Sequence, residues 1–263
     1  MKPMAKNSYT PEELEAAKEF VKKRLESEQS MSADVERLLY TYAGYLLSAL
    51  FKGASDEDLE LLIQDLVEQL LSDCELLAVD DRDDERDAIL LYMNSERFAD
   101  TLESHINERC HTFYNEVAAV YTAGKMLGWD EDSLLSSIKE NLEHPWQNEV
   151  LVEVRDKITK GEIEADISDF EEPHFGKGVP ISSKTDLEFR TIQEVVDVWN
   201  EFQWRENYGK GAKGYFVLRG SSFPCEECDS HTGVFFPIED KDNLPQYHRS
   251  CRCYVVYSFI ERL

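Results

Sequence analysis

PCEECDSHTG (Pro224 to Gly233) and HRSCRC (His248 to Cys253), separated by a 14-residue spacer, decide how the C-terminal end of this chain folds. Thiolate and imidazole are the donors that tetrahedral zinc prefers, and C-x2-C is a common spacing for one half of such a site. The C-x2-C turn sets two thiolates on one side of an ion. A second pair has to return from a distant point of the chain. Six residues compete for four positions: Cys225, Cys228, His231, His248, Cys251 and Cys253. The set expected from spacing is Cys225, Cys228, His248 and Cys251, with Cys253 the first substitute. Cys251 and Cys253 flank one residue, so in extended backbone both point to one face. His231 reads as a turn residue before Gly233. A closed four-ligand site would be structural and would staple a module too small to hold itself together. The competing reading is that the cysteines pack without metal, or pair on oxidation.

Upstream of the cluster lies Gly209-Lys-Gly-Ala-Lys-Gly214. Its spacing is not that of a phosphate loop, and no hydroxyl follows the lysine where a magnesium ion would need one. It reads as a turn into a strand. Tyr215 to Leu218, Val234 to Ile238 and Tyr254 to Phe259 have strand character. Ser183 is expected to cap a helix with Ile192, Val195, Val196, Trp199 and Phe202 on its apolar face, ending among Trp204 and Tyr208. Before it, Pro173, Gly176, Gly178 and Pro180 mark a linker.

The preceding 160 residues are helical by periodicity and punctuation. Thr10-Pro11-Glu12-Glu13 is a capping box with proline at the first helical position. Leu14, Ala17, Phe20, Val21 and Leu25 follow at helical spacing. Ser32 is expected to open a second helix carrying Leu38, Leu39, Tyr42, Leu46, Leu47 and Leu50, and Gly53 to end it. Ser55 caps a third, with Leu59, Leu62, Ile63, Leu66, Val67 and Leu70 on one face. After the acidic run Asp80 to Asp87, helix is expected from Asp87 past Ser95, then through Phe98, Leu102, Ile106, Cys110, Tyr114, Val117 and Val120 to a stop at Gly128. Asp130 starts another helix, Pro145 breaks it, and Trp146 to Ile158 forms one more. Cys74 and Cys110 sit alone in these patterns, as buried small apolar residues do.

The expected fold is therefore α+β and mainly α. An acidic antiparallel helical bundle occupies 1–160, a linker 161–183, and a small α+β module with the Cys/His cluster 184–263. The net charge of −26 is unevenly spread: residues 1–200 carry −25 and residues 201–263 carry −1. The acidic part repels a phosphate backbone, where affinity comes from lysine and arginine, and so opposes direct nucleic-acid binding. It suits a basic partner surface instead. No apolar run long enough for a signal peptide or a bilayer span is present, so the chain is expected to be soluble and made inside a cell.

The motif residues carry a resemblance. Cys225 and Cys228, Gly233 followed by Val234-Phe235, Leu244-Pro245, and His248 with Cys251-Arg252-Cys253 resemble the C-terminal signature of the phage Mu F-like minor head proteins. The Gly-Ala-Lys-Gly-Tyr-Phe-Val stretch before them fits as well. The likeness is strong over about 45 residues, Gly211 to Tyr254. It departs where the family often has prolines around the histidine; here Gln246-Tyr247 and Arg249 stand there. The resemblance implies a phage or prophage virion protein, made in the host cytoplasm, acting in head assembly near the portal, with portal or capsid proteins as partners and possible involvement in DNA packaging or delivery. It brings no catalytic residue; the motif residues carry over as metal-binding or fold-defining positions. Two other functions compete with it. One is a zinc-knuckle nuclease or toxin-like enzyme on a head-protein scaffold, with His231 or His248 at an open metal site. The other is a nucleic-acid-binding zinc module using Lys213, Arg219, Arg249 and Arg252.

Overall fold

The computed structural model describes residues 9–80, 82–95, 101–144, 148–170, 182–220, 224–245, 247–248, 251 and 253–260. Within them are eight α-helices and three strands: α1 (Pro11–Phe51), α2 (Asp56–Val79), α3 (Arg86–Met93), α4 (Leu102–Leu127), α5 (Glu131–Glu143), α6 (Glu149–Thr159), α7 (Ser183–Gly209), β1 (Gly214–Leu218), α8 (Glu226–His231), β2 (Phe235–Pro237) and β3 (Tyr254–Ser258). The fold is mainly helical with a small antiparallel sheet, as the patterning implies. Among the described residues no helix is long and apolar enough to cross a membrane.

The helix starts follow their caps. The Thr10 N–H donates to Glu13 Oε2 (2.8 Å) while the Glu13 N–H donates to Thr10 Oγ1 (3.1 Å), so two orphan donors are satisfied reciprocally. Ser55 and Asp58 make the same exchange at the start of α2. Asp130 Oδ1 accepts from the Ser133 N–H, and Gly128 ends α4 in the left-handed conformation. For α7 the cap is one residue earlier than expected: Ser182 Oγ accepts from the Thr185 N–H (3.2 Å).

Three expectations are corrected. Ser32 does not open a new helix, because α1 runs unbroken through it for 41 residues. No glycine or proline interrupts 27–35, Met31 and Val35 keep the buried stripe continuous, and the Ser32 hydroxyl is engaged by Glu188 instead of by backbone. Helix does not run through Ser95: α3 closes at Met93, and residues 96–100 lie outside the described residues. The stretch 161–170 is no free linker: a 3₁₀ turn at Ile167–Phe170 buries Phe170, whose carbonyl accepts from Arg155 Nη1 (3.3 Å). The linker residues Pro173, Gly176, Gly178 and Pro180 lie outside the described residues, as do Phe98, Pro145 and Trp146.

The contacts also cut across the division at 160 and 184. They define two compact units, one made of 1–30, 77–92 and 193–263, the other of 31–76 and 93–192. Each takes part of α1 and part of α7, so the C-terminal module includes the first turns of the chain.

In the second unit the close approach of α4 and α5 needs Gly124, where an added Cβ would stand 2.0 Å from Leu134 Cδ2. Among the buried apolar side chains of this unit lies a polar cluster. Glu116 on α4 accepts from Asn141 Nδ2 on α5 (2.5 Å) and from the Ser183 N–H (2.9 Å) and hydroxyl on α7. Burial pushes its carboxyl up to about 7, and those three donors only partly oppose the rise.

The first unit holds the sheet, ordered β2-β1-β3. Tyr215, Val217, Val255 and Tyr257 face one side, toward Cys228, Cys251, Cys253 and Ile238, with Trp204 of α7 packed against them. Phe216 and Val256 face the other, against Ala17, Tyr9 and Leu14 at the start of α1. Gly214 is obligatory at the entry of β1, since an added Cβ would lie 2.3 Å from the Phe236 carbonyl oxygen.

Two outcomes follow. The folded Glu116 carboxyl holds its proton more tightly than an unfolded glutamate, whose ordinary value is 4.5. Its contribution therefore favours folding at low pH and is lost as pH rises from that value to about 7, on the order of 3 kcal/mol in all. Urea unfolding of Glu116→Gln at pH 5 and pH 8 should show a smaller fall than the parent; an equal fall would remove Glu116 as the cause. Residues 184–263 expressed alone lack the helix that covers Phe216 and Val256. That fragment should bind a hydrophobic dye and give poorly dispersed NMR spectra, whereas a cooperative, well-dispersed fragment would show that α1 is dispensable.

Candidate metal centre

Cys225 is the N-cap of the six-residue helix α8, and its Sγ accepts from the Cys228 N–H at 3.4 Å. One helical turn thus sets the two sulfurs of the C-x2-C pair side by side. The chain leaves α8 by a turn that needs Gly233 at φ 77°, and the Gly233 N–H donates to the Val217 carbonyl (2.9 Å), fastening the turn to β1. After β2 the chain returns with Leu244 and Tyr247 packed on the cysteine side of the sheet. The Cys251 N–H then donates to the His248 carbonyl (3.1 Å), a turn that gathers the histidine and the last two cysteines before β3 begins.

The result is two overlapping groups of donor atoms, each within 4.8 Å of one another: Cys225, Cys228 and His248, and Cys228, Cys251 and Cys253. Cys228 belongs to both. Its Sγ is 3.0 Å from His248 Nε2 and 3.7 Å from Cys251 Sγ. Cys228, Cys251 and Cys253 are buried, and Cys225 is half-buried. Each group of three is placed so that it could hold a metal ion. His231 joins neither group. Its ring stacks on Tyr247 at 4.0 Å between centroids, and its Nδ1 lies 2.9 Å from both Ser230 Oγ and the Glu227 carbonyl.

The thiols are unequal. A hydrogen bond from Cys253 pulls Cys251 down to about 5. The same contact pushes Cys253 upward, and burial pushes Cys228 up to about 12. Arg219, just after β1, pairs with Asp229 of α8 and lies within electrostatic reach of Cys228 and Cys253. Arg249 and Arg252 lie outside the described residues. Cys74 and Cys110 are buried elsewhere in the helices, and burial pushes Cys110 up to about 12.

One contributor escapes a reading of the motif. Arg24 of α1 donates from Nη1 to the Cys253 carbonyl (3.4 Å) and from Nε to Glu28 Oε1 (2.7 Å). Both side chains are almost fully buried, at 3% and 6% exposure. The inner face of α1 therefore runs Ala17, Arg24, Glu28, Met31, and Leu25 points outward. A search for apolar periodicity passes over a buried ion pair. A charged i, i+4 pair in register with Ala17 and Met31 was the available signal.

Comparison with protein-family models, with curated proteins and with solved structures yields no match. What can be said of the site rests on its own geometry.

Because Cys228 is common to both donor groups, Cys228→Ser should lower metal content and unfolding temperature more than Cys225→Ser or Cys253→Ser. Metal analysis of protein purified under reducing conditions without chelator reads this directly. Full metal content in Cys228→Ser would overturn the shared-donor arrangement.

Proposed function

We propose that this chain is a phage or prophage minor head protein acting in head assembly near the portal, and that its Cys/His cluster holds one structural zinc ion. The observation that supports the reading is that the described residues of the signature gather around one small sheet. Gly233 makes the positive-φ turn, Phe235 and Phe236 form β2, Leu244 packs under the sheet, and the two halves of the cysteine motif meet at Cys228. A motif that defines a shape suits an assembly protein.

Zinc suits the donors. Two Zn–S bonds of ~2.3 Å in a tetrahedron subtend an S–S edge of roughly 3.8 Å. The Cys228–Cys251 separation is 3.7 Å. When bound, zinc would neutralise thiolates and cross-link α8 to the start of β3, with Cys225, Cys228, His248, Cys251 and Cys253 as the residues that would hold it. His248 already faces a buried sulfur, which favours a ligand role over that of a base acting on substrate. The acidic body, −25 over residues 1–200, would dock by charge on a basic face of a portal or capsid protein.

A tagged chain expressed from its own phage should co-sediment with portal-containing heads at low copy, and its deletion should lower the yield of filled heads. Absence from purified particles, together with normal filled heads in the deletion, would sink the proposal.

A further inference from the structure

Access separates the cysteines of the cluster. Cys225 is half-buried, whereas Cys228, Cys251 and Cys253 are 3%, 3% and 2% exposed. A dissolved oxidant therefore meets Cys225 first. The Cys225 sulfur is folded inward over the start of α8, where it accepts from the Cys228 N–H (3.4 Å). The donor atoms of Cys225 and Cys228 lie within 4.8 Å of each other, and Cys225 shares no such group with Cys251 or Cys253. Residues one helical turn apart stand within the Cα range that a disulfide spans, so rotation of the two side chains suffices to join their sulfurs. An accessible thiol with a sheltered second thiol beside it is the arrangement of a redox pair.

We propose that Cys225 and Cys228 form a peroxide-sensitive dithiol pair whose oxidation dismantles the donor cluster. In the first step the Cys225 sulfur attacks one oxygen of hydrogen peroxide. An S–O bond forms, the O–O bond breaks, and the Cys225 proton leaves with the displaced hydroxide as water. In the second step the Cys228 sulfur attacks the Cys225 sulfenic acid at sulfur. The S–S bond forms, the S–O bond breaks, and the hydroxyl leaves with the Cys228 proton as a second water. Two thiols have given up two electrons, and peroxide has taken them.

A neutral oxidant suits the surroundings, since Glu226, Glu227 and Asp229 of the same helix would repel an anionic one such as oxidised glutathione. A disulfide sulfur no longer offers the thiolate that a metal ion needs. Because Cys228 belongs to both donor groups, one disulfide disables both. This last consequence rests on the metal reading; the dithiol chemistry does not.

The full chain, reduced and then freed of reductant without chelator, is treated with hydrogen peroxide, alkylated and mapped by mass spectrometry, while released zinc is followed with a chromogenic chelator. A Cys225–Cys228 disulfide should form first, with loss of zinc, and dithiothreitol should restore both thiols. Cys74 and Cys110, buried in the helices, should stay reduced and serve as internal controls. In Cys225→Ser, verified as folded by circular dichroism, oxidation of Cys228 should slow by on the order of tenfold. A first disulfide between Cys228 and Cys251, whose sulfurs are 3.7 Å apart, would overturn the proposal. So would unslowed oxidation of Cys228 in Cys225→Ser, or overoxidation of Cys225 with Cys228 still a thiol. Zinc retained after the disulfide has formed would overturn the dismantling step. Protein that carries no zinc before treatment but forms the disulfide would remove the metal reading and leave the dithiol pair standing.

Discussion

A sheet whose strands are five, three and five residues long buries too little apolar area to stand by itself, so both of its faces must be covered. That constraint organises the first compact unit. One face is covered by the cysteine turns and Trp204 of α7, which follow from residues near the sheet in sequence. The other is covered by Ala17 and its neighbours, more than 190 residues away from β1 in sequence. The C-terminal motif therefore cannot be a detachable knuckle in this chain. Its last cysteine is fastened through its own carbonyl to Arg24, on the helix that closes the opposite face.

Buried polar groups do comparable work in both units. Arg24 with Glu28 and the Cys253 carbonyl form one such tie, and Glu116 with Asn141 and Ser183 the other. Neither is cheap, since each takes charge or a polar group out of water. Their effect is on register. An apolar stripe tolerates a helix sliding or rotating by a residue, whereas a hydrogen-bonded charge does not. For α1 the consequence is visible: the buried face passes through Arg24, and Leu25, the better hydrophobe, is left at 39% exposure.

Most helix boundaries were legible because capping chemistry is local. Thr10 with Glu13, Ser55 with Asp58, Asp130 and Gly128 all act within one turn of their own positions. The five cysteine-motif donors were legible for the same reason, through C-x2-C and H-x2-C-x-C spacing. What could not be read depends on partners far away in sequence. Ser32 looked like a cap because serine usually competes with helix; here Glu188 occupies its hydroxyl and the helix passes through. Phe170 looked like part of a linker, but it is buried beside α6. The chain's ends looked like separate regions, and only the sheet's need for cover brings them into one unit.

The same distinction bears on the cluster. Spacing names donors but not their hierarchy. In sequence, Cys225 and Cys228 are equivalent halves of a pair, and Cys251 and Cys253 are alternatives for one seat. In space Cys228 lies between the two groups, against both His248 and Cys251. Cys225 is half-buried, and the hydrogen bond from Cys253 holds the Cys251 thiol below its ordinary value. A four-coordinate ion needs only one donor from among the outer residues once Cys228, Cys251 and either His248 or Cys253 are engaged. Were an ion bound, Cys228 would be the residue common to both donor groups.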